Sequence, residues 1–167
     1  MAQKYSHQLI TGISFGLTTA VITSLGMIVG LYSATSSKLA VIAGIVIMAI
    51  ADGLSDAVSL HTVEEAEVEK GKVKHNPKEI WLTTFFAFLA VSGFTSTFVI
   101  PILIFPLKTA IFAAIGWGML LLILLNFYIA RIRKGNPIKI ISEHILLAIF
   151  VIIVSYLVGN LIGMWFE

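Results

Sequence analysis

The residues best placed to do chemistry are two aspartates, Asp52 and Asp56, inside a stretch that is otherwise apolar or small. On a helix of about 3.6 residues per turn they share one narrow face with Ser55 and Ser59, and Met48 continues the stripe. Carboxylate and hydroxyl oxygens suit divalent cations such as Mn²⁺, Fe²⁺ or Mg²⁺, and a methionine thioether adds a softer ligand. The pattern therefore predicts a cation path along this face, which we call the carboxylate stripe.

The two carboxylates of the stripe also allow other interpretations. Buried carboxyl groups can carry protons, so the stripe could be a path for protons instead. Alternatively, each aspartate is neutral, or is paired with a helix terminus or with an asparagine, for which Asn126 and Asn160 are candidates. A charged aspartate in the middle of a bilayer costs about 2.5–3.5 kcal/mol, and side chains of this kind are usually functional. We therefore expect a functional rather than a purely structural role.

An acidic segment follows the carboxylate stripe. Its four glutamates lie within six residues: Glu64, Glu65, Glu67 and Glu69. Glu65 and Glu69 are about one helical turn apart, as a cation clamp requires, and the segment could gather a cation for the stripe. Taken alone, it fits better a solvated helix end whose charge is balanced by the four lysines between residues 70 and 78. His75 lies in the following loop, and the sequence assigns it no role.

The composition identifies the class of protein that must position these residues. The chain has 167 residues, of which 58% are hydrophobic and 12% are charged, whereas a soluble domain is roughly 45–50% apolar and about 25% charged. The apolar excess extends over the whole chain. Its runs lack the alternation, in segments of about ten residues, that marks a membrane β-barrel. The sequence therefore predicts an all-α, polytopic membrane protein with a single domain.

Five apolar runs reach the roughly 20 residues that a membrane-spanning helix needs. They cover residues 9–32, 39–61, 80–105, 107–132 and 138–166. A short segment of acidic and basic residues at 63–79 separates the second span from the third. Within it, Asn76 and Glu79 have the spacing of a capping box at a helix start. Pro106 separates the third and fourth spans, and Pro101 is expected to kink or end the third span early.

The lysines and arginines divide unequally between the two ends of the predicted spans. Lys4, the lysines between 70 and 78 and the cations between 131 and 139 fall on one side, and only Lys38 and Lys108 fall on the other. The positive-inside rule then places the N-terminus and the acidic segment in the cytoplasm and the C-terminus outside. The first residues lack the features of a signal peptide, so the first apolar run is expected to span, and we expect a prokaryotic plasma membrane.

Several classes of function are disfavoured by what the sequence lacks. It has no cysteine, which excludes disulfides and thiolate metal sites. It contains no phosphate-binding glycine loop, zinc-protease helix or nucleophile elbow. Its basic runs flank the predicted spans and are explained by topology, so nucleic acid is not an expected partner. We therefore expect neither an enzyme nor a bound cofactor, and the partners indicated by the residues are the lipid bilayer and a cation.

Four stretches of the chain resemble a known family. ITGISFGLTTAVITSLGMIVGLYSA at 10–34 and AGIVIMAIADGLSDAVSLHTVEEAE at 43–67 are similar to the first two helices of the vacuolar iron transporter family, which includes plant and yeast vacuolar iron and manganese transporters. NPKEIWLTTFFAFLAVSGF at 76–94 and RKGNPIKIISEHILLAIFVIIVSYLVGNLIG at 133–163 resemble its third and fifth helices. The chain looks like a divergent, short, prokaryotic-type member without the large cytoplasmic metal-binding domain of that family.

The resemblance implies a homodimer that exchanges Fe²⁺ or Mn²⁺ for protons. The family usually has an aspartate in place of Phe15, a glutamate in place of Met48 and a methionine in place of Asp56. We predict transport of Fe²⁺ or Mn²⁺, with the aspartates binding metal and proton alternately and the glutamates gathering the cation. The rearranged residues and the missing domain favour an alternative function, a membrane scaffold or partner-binding subunit that keeps the fold without transporting.

Overall fold

The structure, a computed structural model, describes residues 6–69 and 72–166. Within these ranges the side chains of five residues are not described: Ser6, His7, Glu69, Lys72 and Val73. Lys4 and Lys70, which contribute to the predicted charge asymmetry, and the side chain of Glu69 therefore lie outside the described part of the chain.

Six helices and one short hairpin make up the described chain. In order they are α1 (Ser6–Thr35), α2 (Lys38–Ala66), β1 (Val68–Glu69), β2 (Lys72–Val73), α3 (Pro77–Thr97), α4 (Val99–Ile104), α5 (Leu107–Arg133) and α6 (Pro137–Phe166). Together α3 and α4 form one span, so five helical segments are long and apolar enough to cross a membrane. The prediction of a helical chain with five helices long and apolar enough to span a membrane is confirmed.

Short polar side chains cap the first turns of α2 and α3, where the second and third spans begin. At α2, the Ser37 hydroxyl accepts a hydrogen bond of 3.2 Å from the Ala40 backbone N–H. At α3, Asn76 Oδ1 accepts from the Glu79 N–H at 3.1 Å, and Glu79 Oε2 accepts from the Asn76 N–H at 3.2 Å. This is the capping box predicted from the sequence, and it satisfies two N–H groups that a helix start leaves free.

The third span is broken between α3 and α4. The break lies at Phe98, whose N–H bonds to the Thr95 carbonyl at 3.1 Å instead of continuing the α-helix. Pro101 explains the position, since it has no N–H to give to a carbonyl one turn earlier and is tolerated only in the first turn of a new helix. The carbonyls of Leu103 and Phe105, at the far end of α4, accept hydrogen bonds from Lys38 Nζ at 3.3 and 3.2 Å.

The first span, α1, is the centre of the bundle. It packs against α2, α3, α5 and α6, and it is the most buried of the five spans, whereas α6 is the least buried. Two faces of α1 that carry glycines allow the neighbouring helices to pack closely against it. A methyl group at Gly12 would lie 2.8 Å from the Thr83 carbonyl oxygen of α3, and one at Gly26 would lie 2.8 Å from a methyl of Val151 in α6. Small residues let membrane helices approach closely, so both contacts depend on them.

The core lies where α1 meets the other spans. Its largest fully buried apolar side chains come from all but α6: Val21, Leu25, Ile28, Val41, Ile45, Val91, Phe98, Ile102 and Leu122. The helices alternate in direction, so Lys38 and Lys108 lie at one end of the bundle, and Lys78, Arg131, Arg133 and Lys139 lie at the other. We call the second end the basic end.

A two-stranded hairpin at the basic end joins α2 to α3. Val68 pairs with Val73 and Glu69 with Lys72 in antiparallel register, and the Lys74 N–H extends the pairing to the Glu67 carbonyl at 3.1 Å. No strand is predicted here from the sequence. The hairpin brings the end of α2 beside the residues that precede α3, which sets the geometry of the acidic segment.

Candidate functional site

The carboxylate stripe lies at the edge of the buried face of α2. That face consists of small and apolar residues up to the last turn: Val41, Ile45, Ala49, Gly53, Ala57 and Leu60. Met48, Asp52 and Asp56 are half-buried beside it, whereas Ser55 and Ser59 are exposed. The stripe is therefore divided: the thioether and the two carboxylates are turned partly towards the bundle, and the two hydroxyls are turned away from it.

Asp56 has a carboxylate oxygen that is buried and unpaired. Its Oδ2 accepts no hydrogen bond within the described chain. Ser92 of α3 also has a buried hydroxyl without a partner among the described residues. It packs against Gly53, three residues before Asp56, where any side chain would collide with the Ser92 hydroxyl. The Asp56 oxygen on α2 and the Ser92 hydroxyl on α3 thus each have unused capacity to bind a proton, a water or a cation.

Two more buried hydroxyls in the neighbouring helices are unpaired. Ser24 of α1 and Thr95 of α3 are fully buried, and neither hydroxyl has a hydrogen-bond partner in the part of the chain that the structure describes. A serine or threonine in a helix usually bonds back to the carbonyl four residues earlier, as Thr84 does to Ile80 at 2.8 Å. An unpaired buried hydroxyl costs about 1–3 kcal/mol, so this arrangement is unfavourable for a purely structural helix contact.

The asparagines considered as partners of the aspartates are placed elsewhere. Asn126 is fully buried in α5, where its Nδ2 donates to the Leu122 carbonyl of the same helix at 2.8 Å. Asn160 is exposed on α6. No hydrogen bond within residues 6–69 and 72–166 joins either side chain to Asp52 or Asp56. In a single copy of the chain, the aspartates are therefore not neutralised by these amides.

Two of the four glutamates of the acidic segment converge on one histidine. His75 Nε2 lies 3.1 Å from Glu67 Oε2 and 3.5 Å from Glu64 Oε2, and His75 and Glu64 are both buried. Lys74 Nζ donates to the same Glu67 oxygen at 2.6 Å. Glu65 is exposed and lines a cavity of about 760 Å³ with Lys74, His75 and Glu79, while the side chain of Glu69 is not described.

The charges around Glu67 keep it ionised. The hydrogen bond from Lys74, followed by that of His75, lowers the pKa of Glu67 below its usual value. A carboxylate already paired with an ammonium group is less available to a passing metal ion, so Glu67 acts here as part of an ion pair. This agrees with the interpretation of the acidic segment as a balanced helix end, although its role in collecting a cation stays a prediction.

The sequence alone indicates no role for His75, which lies at this end of the bundle. Its contacts depend on the hairpin, which places His75 beside Glu67 and Glu64, eight and eleven positions earlier in the chain. Helical spacing could not indicate them. The one local signal is that two valines each stand between charged residues, at 67–69 and at 72–74, with a glycine between the two runs, which is typical of a short strand pair.

A complete metal site is absent from the described part of one chain. Among residues 6–69 and 72–166, no group of three or more histidine, aspartate and glutamate side chains could hold a metal ion. A cation at Asp52 and Asp56 would therefore need further ligands, which the hydroxyls of Ser55, Ser59 and Ser92, the Met48 thioether, water or a second copy of the chain could supply.

Comparison with known proteins identifies one distant relative and no family. No protein-family model matches the chain. The chain is 26% identical, over 143 residues, to an uncharacterized protein of the archaeon Methanocaldococcus jannaschii, and the match covers 74% of each of the two chains. This similarity indicates a shared ancestry for most of the bundle and says nothing about function.

Proposed function

We propose that the chain transports divalent metal cations, with Fe²⁺ and Mn²⁺ as first candidates, along the carboxylate stripe of α2. The observation that carries this proposal is the Asp56 oxygen, which is buried in a membrane-spanning helix without a hydrogen-bond partner in the described chain. It lies three residues from Gly53, which packs against the unpaired Ser92 hydroxyl of α3. Ionisable residues inside a span are costly and usually mark a path for ions or protons. Alternating occupancy of Asp52 and Asp56 by metal and proton would couple the two flows.

A homodimer would complete the path. The outward face of α2 combines the exposed Ser55 and Ser59 with large exposed apolar side chains such as Leu54 and Val58. In a single chain the hydroxyls and the half-buried carboxylates would border lipid, which solvates them poorly. Two copies that meet along this face would cover the stripe and bring four aspartates to one seam. This is the arrangement expected of a divergent relative of the vacuolar iron transporters.

The proposed orientation follows from the charges at the two ends. Lysines and arginines concentrate at the basic end, and the positive-inside rule places that end in the cytoplasm. The N-terminus would then be cytoplasmic and the C-terminus outside, in a prokaryotic plasma membrane. The glutamates of the acidic segment would lie at the cytoplasmic mouth of the stripe, where they raise the local concentration of cations.

The test is metal uptake by proteoliposomes that contain the purified chain. Fe²⁺, Mn²⁺ and Co²⁺ should each be compared for the natural chain, Asp52→Asn, Asp56→Asn and the double variant. We expect the double variant to reduce uptake to the level of protein-free vesicles. Asp56→Asn should impair uptake more than Asp52→Asn, because it removes charge from the buried and unpaired carboxylate.

The matched control is Glu143→Gln, which removes one exposed carboxylate from α6, away from the stripe. It should transport as the natural chain does. Equal loss of uptake in Glu143→Gln and Asp56→Asn would show that net charge, rather than the stripe, governs flux. Uptake of protons without any metal requirement would instead favour the stripe as a proton path.

A scaffold or partner-binding subunit is the second candidate function. It is favoured by the absence, within the described residues, of three clustered metal-binding side chains. The two functions differ in the effect of metal on thermal stability in detergent. A transported metal present at about 100 times its Kd should add about 2.7 kcal/mol to the free energy of unfolding, and this gain should be lost in the double aspartate variant. A scaffold should show no such gain with any of the three metals.

A further inference from the structure

A groove between α1 and α5 at the basic end is lined by both polar and apolar side chains. It encloses about 450 Å³. Six side chains line it, three apolar and three polar: Ile10, Ile129, Ile132, Thr11, Ser14 and Arg133. A bilayer surrounds this position, since both helices are spans and the groove lies in their end turns. The groove therefore offers a cation and hydroxyls beside a hydrocarbon wall.

The chain segment that follows this groove on the α5 side is rich in positive charge. Arg133 ends α5, and Arg131, Lys134 and Lys139 lie within six residues of it, against a single carboxylate, Glu143, in the first turns of α6. Arg133 makes no ion pair within the described residues. An anionic group is the complement of this surface, and a guanidinium binds phosphate oxygens in a bidentate manner.

The neighbouring Arg131 is held differently. Its guanidinium lies 5.0 Å from the centre of the Phe127 ring, one turn earlier on α5. This cation–π contact occupies Arg131 outside the groove, so Arg133 is the arginine that lines it. The two residues have the same charge and lie in the same helical turn, yet only one of them borders the apolar wall.

We propose that the groove binds one anionic phospholipid. Arg133 pairs with the lipid phosphate, the Ser14 hydroxyl donates a hydrogen bond to the same head group, and an acyl chain lies along Ile10, Ile129 and Ile132. A basic pocket between spanning helices is the kind of site that recognises anionic head groups. A second copy of the chain is a poor occupant, because a symmetric contact at this groove would set Arg133 of one copy against Arg133 of the other. A soluble phosphate ion would leave the apolar wall uncovered.

The test is lipid binding by the full chain, purified in a neutral detergent and measured by native mass spectrometry. The probes are phosphatidylglycerol, phosphatidylcholine and inorganic phosphate. Both lipids carry a phosphate, but the choline ammonium of phosphatidylcholine cancels its charge. Because each basic residue near an anionic lipid contributes about 1 kcal/mol, the natural chain should bind phosphatidylglycerol about tenfold more tightly than phosphatidylcholine. Inorganic phosphate at the same concentration should not bind.

Arg133→Gln should lose this preference, and the matched control Arg131→Gln should keep it to within about twofold of the natural chain. Arg133→Lys, which keeps the charge without the planar fork, should fall between them. Thermal unfolding in lipid-free detergent checks that each variant is folded. If Arg133→Gln does not fold, the comparison with Arg133→Lys still tests the proposal.

Three results would overturn the proposal. Equal losses in Arg131→Gln and Arg133→Gln would indicate general attraction to a basic surface. Equal affinity for the two lipids, both of which carry a phosphate, would show that the groove does not select a head group with net negative charge. Binding of inorganic phosphate as tight as that of phosphatidylglycerol would indicate a site for soluble anions.

Discussion

At the scale of single residues, the protonation of the Glu67 carboxylate has the most direct effect on the stability of the fold. Its pKa is lowered in the folded chain, first by the hydrogen bond from Lys74 and then by His75. A carboxyl group whose pKa is lowered on folding stabilises the fold above its usual pKa of 4.5, and this stabilisation is lost as the pH falls through the lowered value. The hairpin contacts should therefore weaken only in acid.

We predict that Glu67→Gln lowers the melting temperature at neutral pH. The difference from the natural chain should shrink as the pH falls below 4.5 and disappear below the lowered pKa of Glu67. The reason is that the natural carboxylate takes up a proton in that range and then resembles the amide. The measurement is thermal unfolding in detergent between pH 7 and pH 3. Glu65→Gln is the control, since Glu65 is exposed and makes no ion pair among the described residues; it should follow the natural chain at every pH.

The residues of the carboxylate stripe could be chosen from the sequence, but their surroundings could not. Spacing along a helix gives the angle between Asp52 and Asp56, since it depends only on the number of residues per turn. It does not give the rotation of α2 against α3, which is set by the contact of Gly53 with Ser92. For this reason the division of the stripe into half-buried carboxylates and exposed serines, and the unpaired Ser92, became visible only in three dimensions.

At the scale of elements, the end of the broken third span depends on Lys38. Its ammonium group donates to the carbonyls of Leu103 and Phe105, which lie where α4 ends and Pro106 prevents further helical bonding. A lysine at the start of α2 thus closes the end of α4 and ties the two elements together. No other hydrogen bond to these carbonyls from a side chain is present in the described residues.

We predict that Lys38→Met destabilises the bundle by about 1–3 kcal/mol, the usual cost of leaving such acceptors without their charged donor. Methionine retains the apolar stem, so the loss reports on the ammonium group. Lys108→Met is the matched control at the same end of the bundle, because Lys108 donates no hydrogen bond within the described residues. Chemical unfolding in detergent should distinguish the two variants, and equal losses would contradict the prediction.

The helical elements were predicted well, and the connection at 67–76 was not. Length and apolar content decide the presence of a span, and the Asn76 capping box marks its start, so these features follow from local sequence. The position of the break at Phe98 could be given only roughly from Pro101, because a proline fits any place in the first turn of a helix. The hairpin depends on pairing of four residues across a turn, which is a weak signal in a short segment.

At the scale of the whole molecule, the orientation can be tested with single cysteines, since the natural chain has none. Thr35 and Gly135 lie at opposite ends of the bundle and are both exposed. We predict that a membrane-impermeant maleimide labels Thr35→Cys in intact cells and labels Gly135→Cys only after the cells are opened. The physical reason is the concentration of lysine and arginine at the end that contains Gly135.

The reverse pattern of labelling would place the acidic segment outside the cell. The glutamates could then not serve as a cytoplasmic mouth for the stripe, and the proposed direction of cation entry would be wrong. Labelling of both cysteines before the cells are opened would indicate leaky cells or a mixed orientation, and a cytoplasmic marker protein released into the medium separates these two cases.

The central position of α1 has a consequence for the order in which the bundle is completed. This helix is made before the other spans, but its two glycine faces are filled by α3 and by α6, the last of the five. Close packing around α1 must therefore wait until the final span leaves the ribosome and enters the membrane. Until then the face of α1 that carries Gly26 has no helix against it, so we expect the insertion of α6 to complete the native packing.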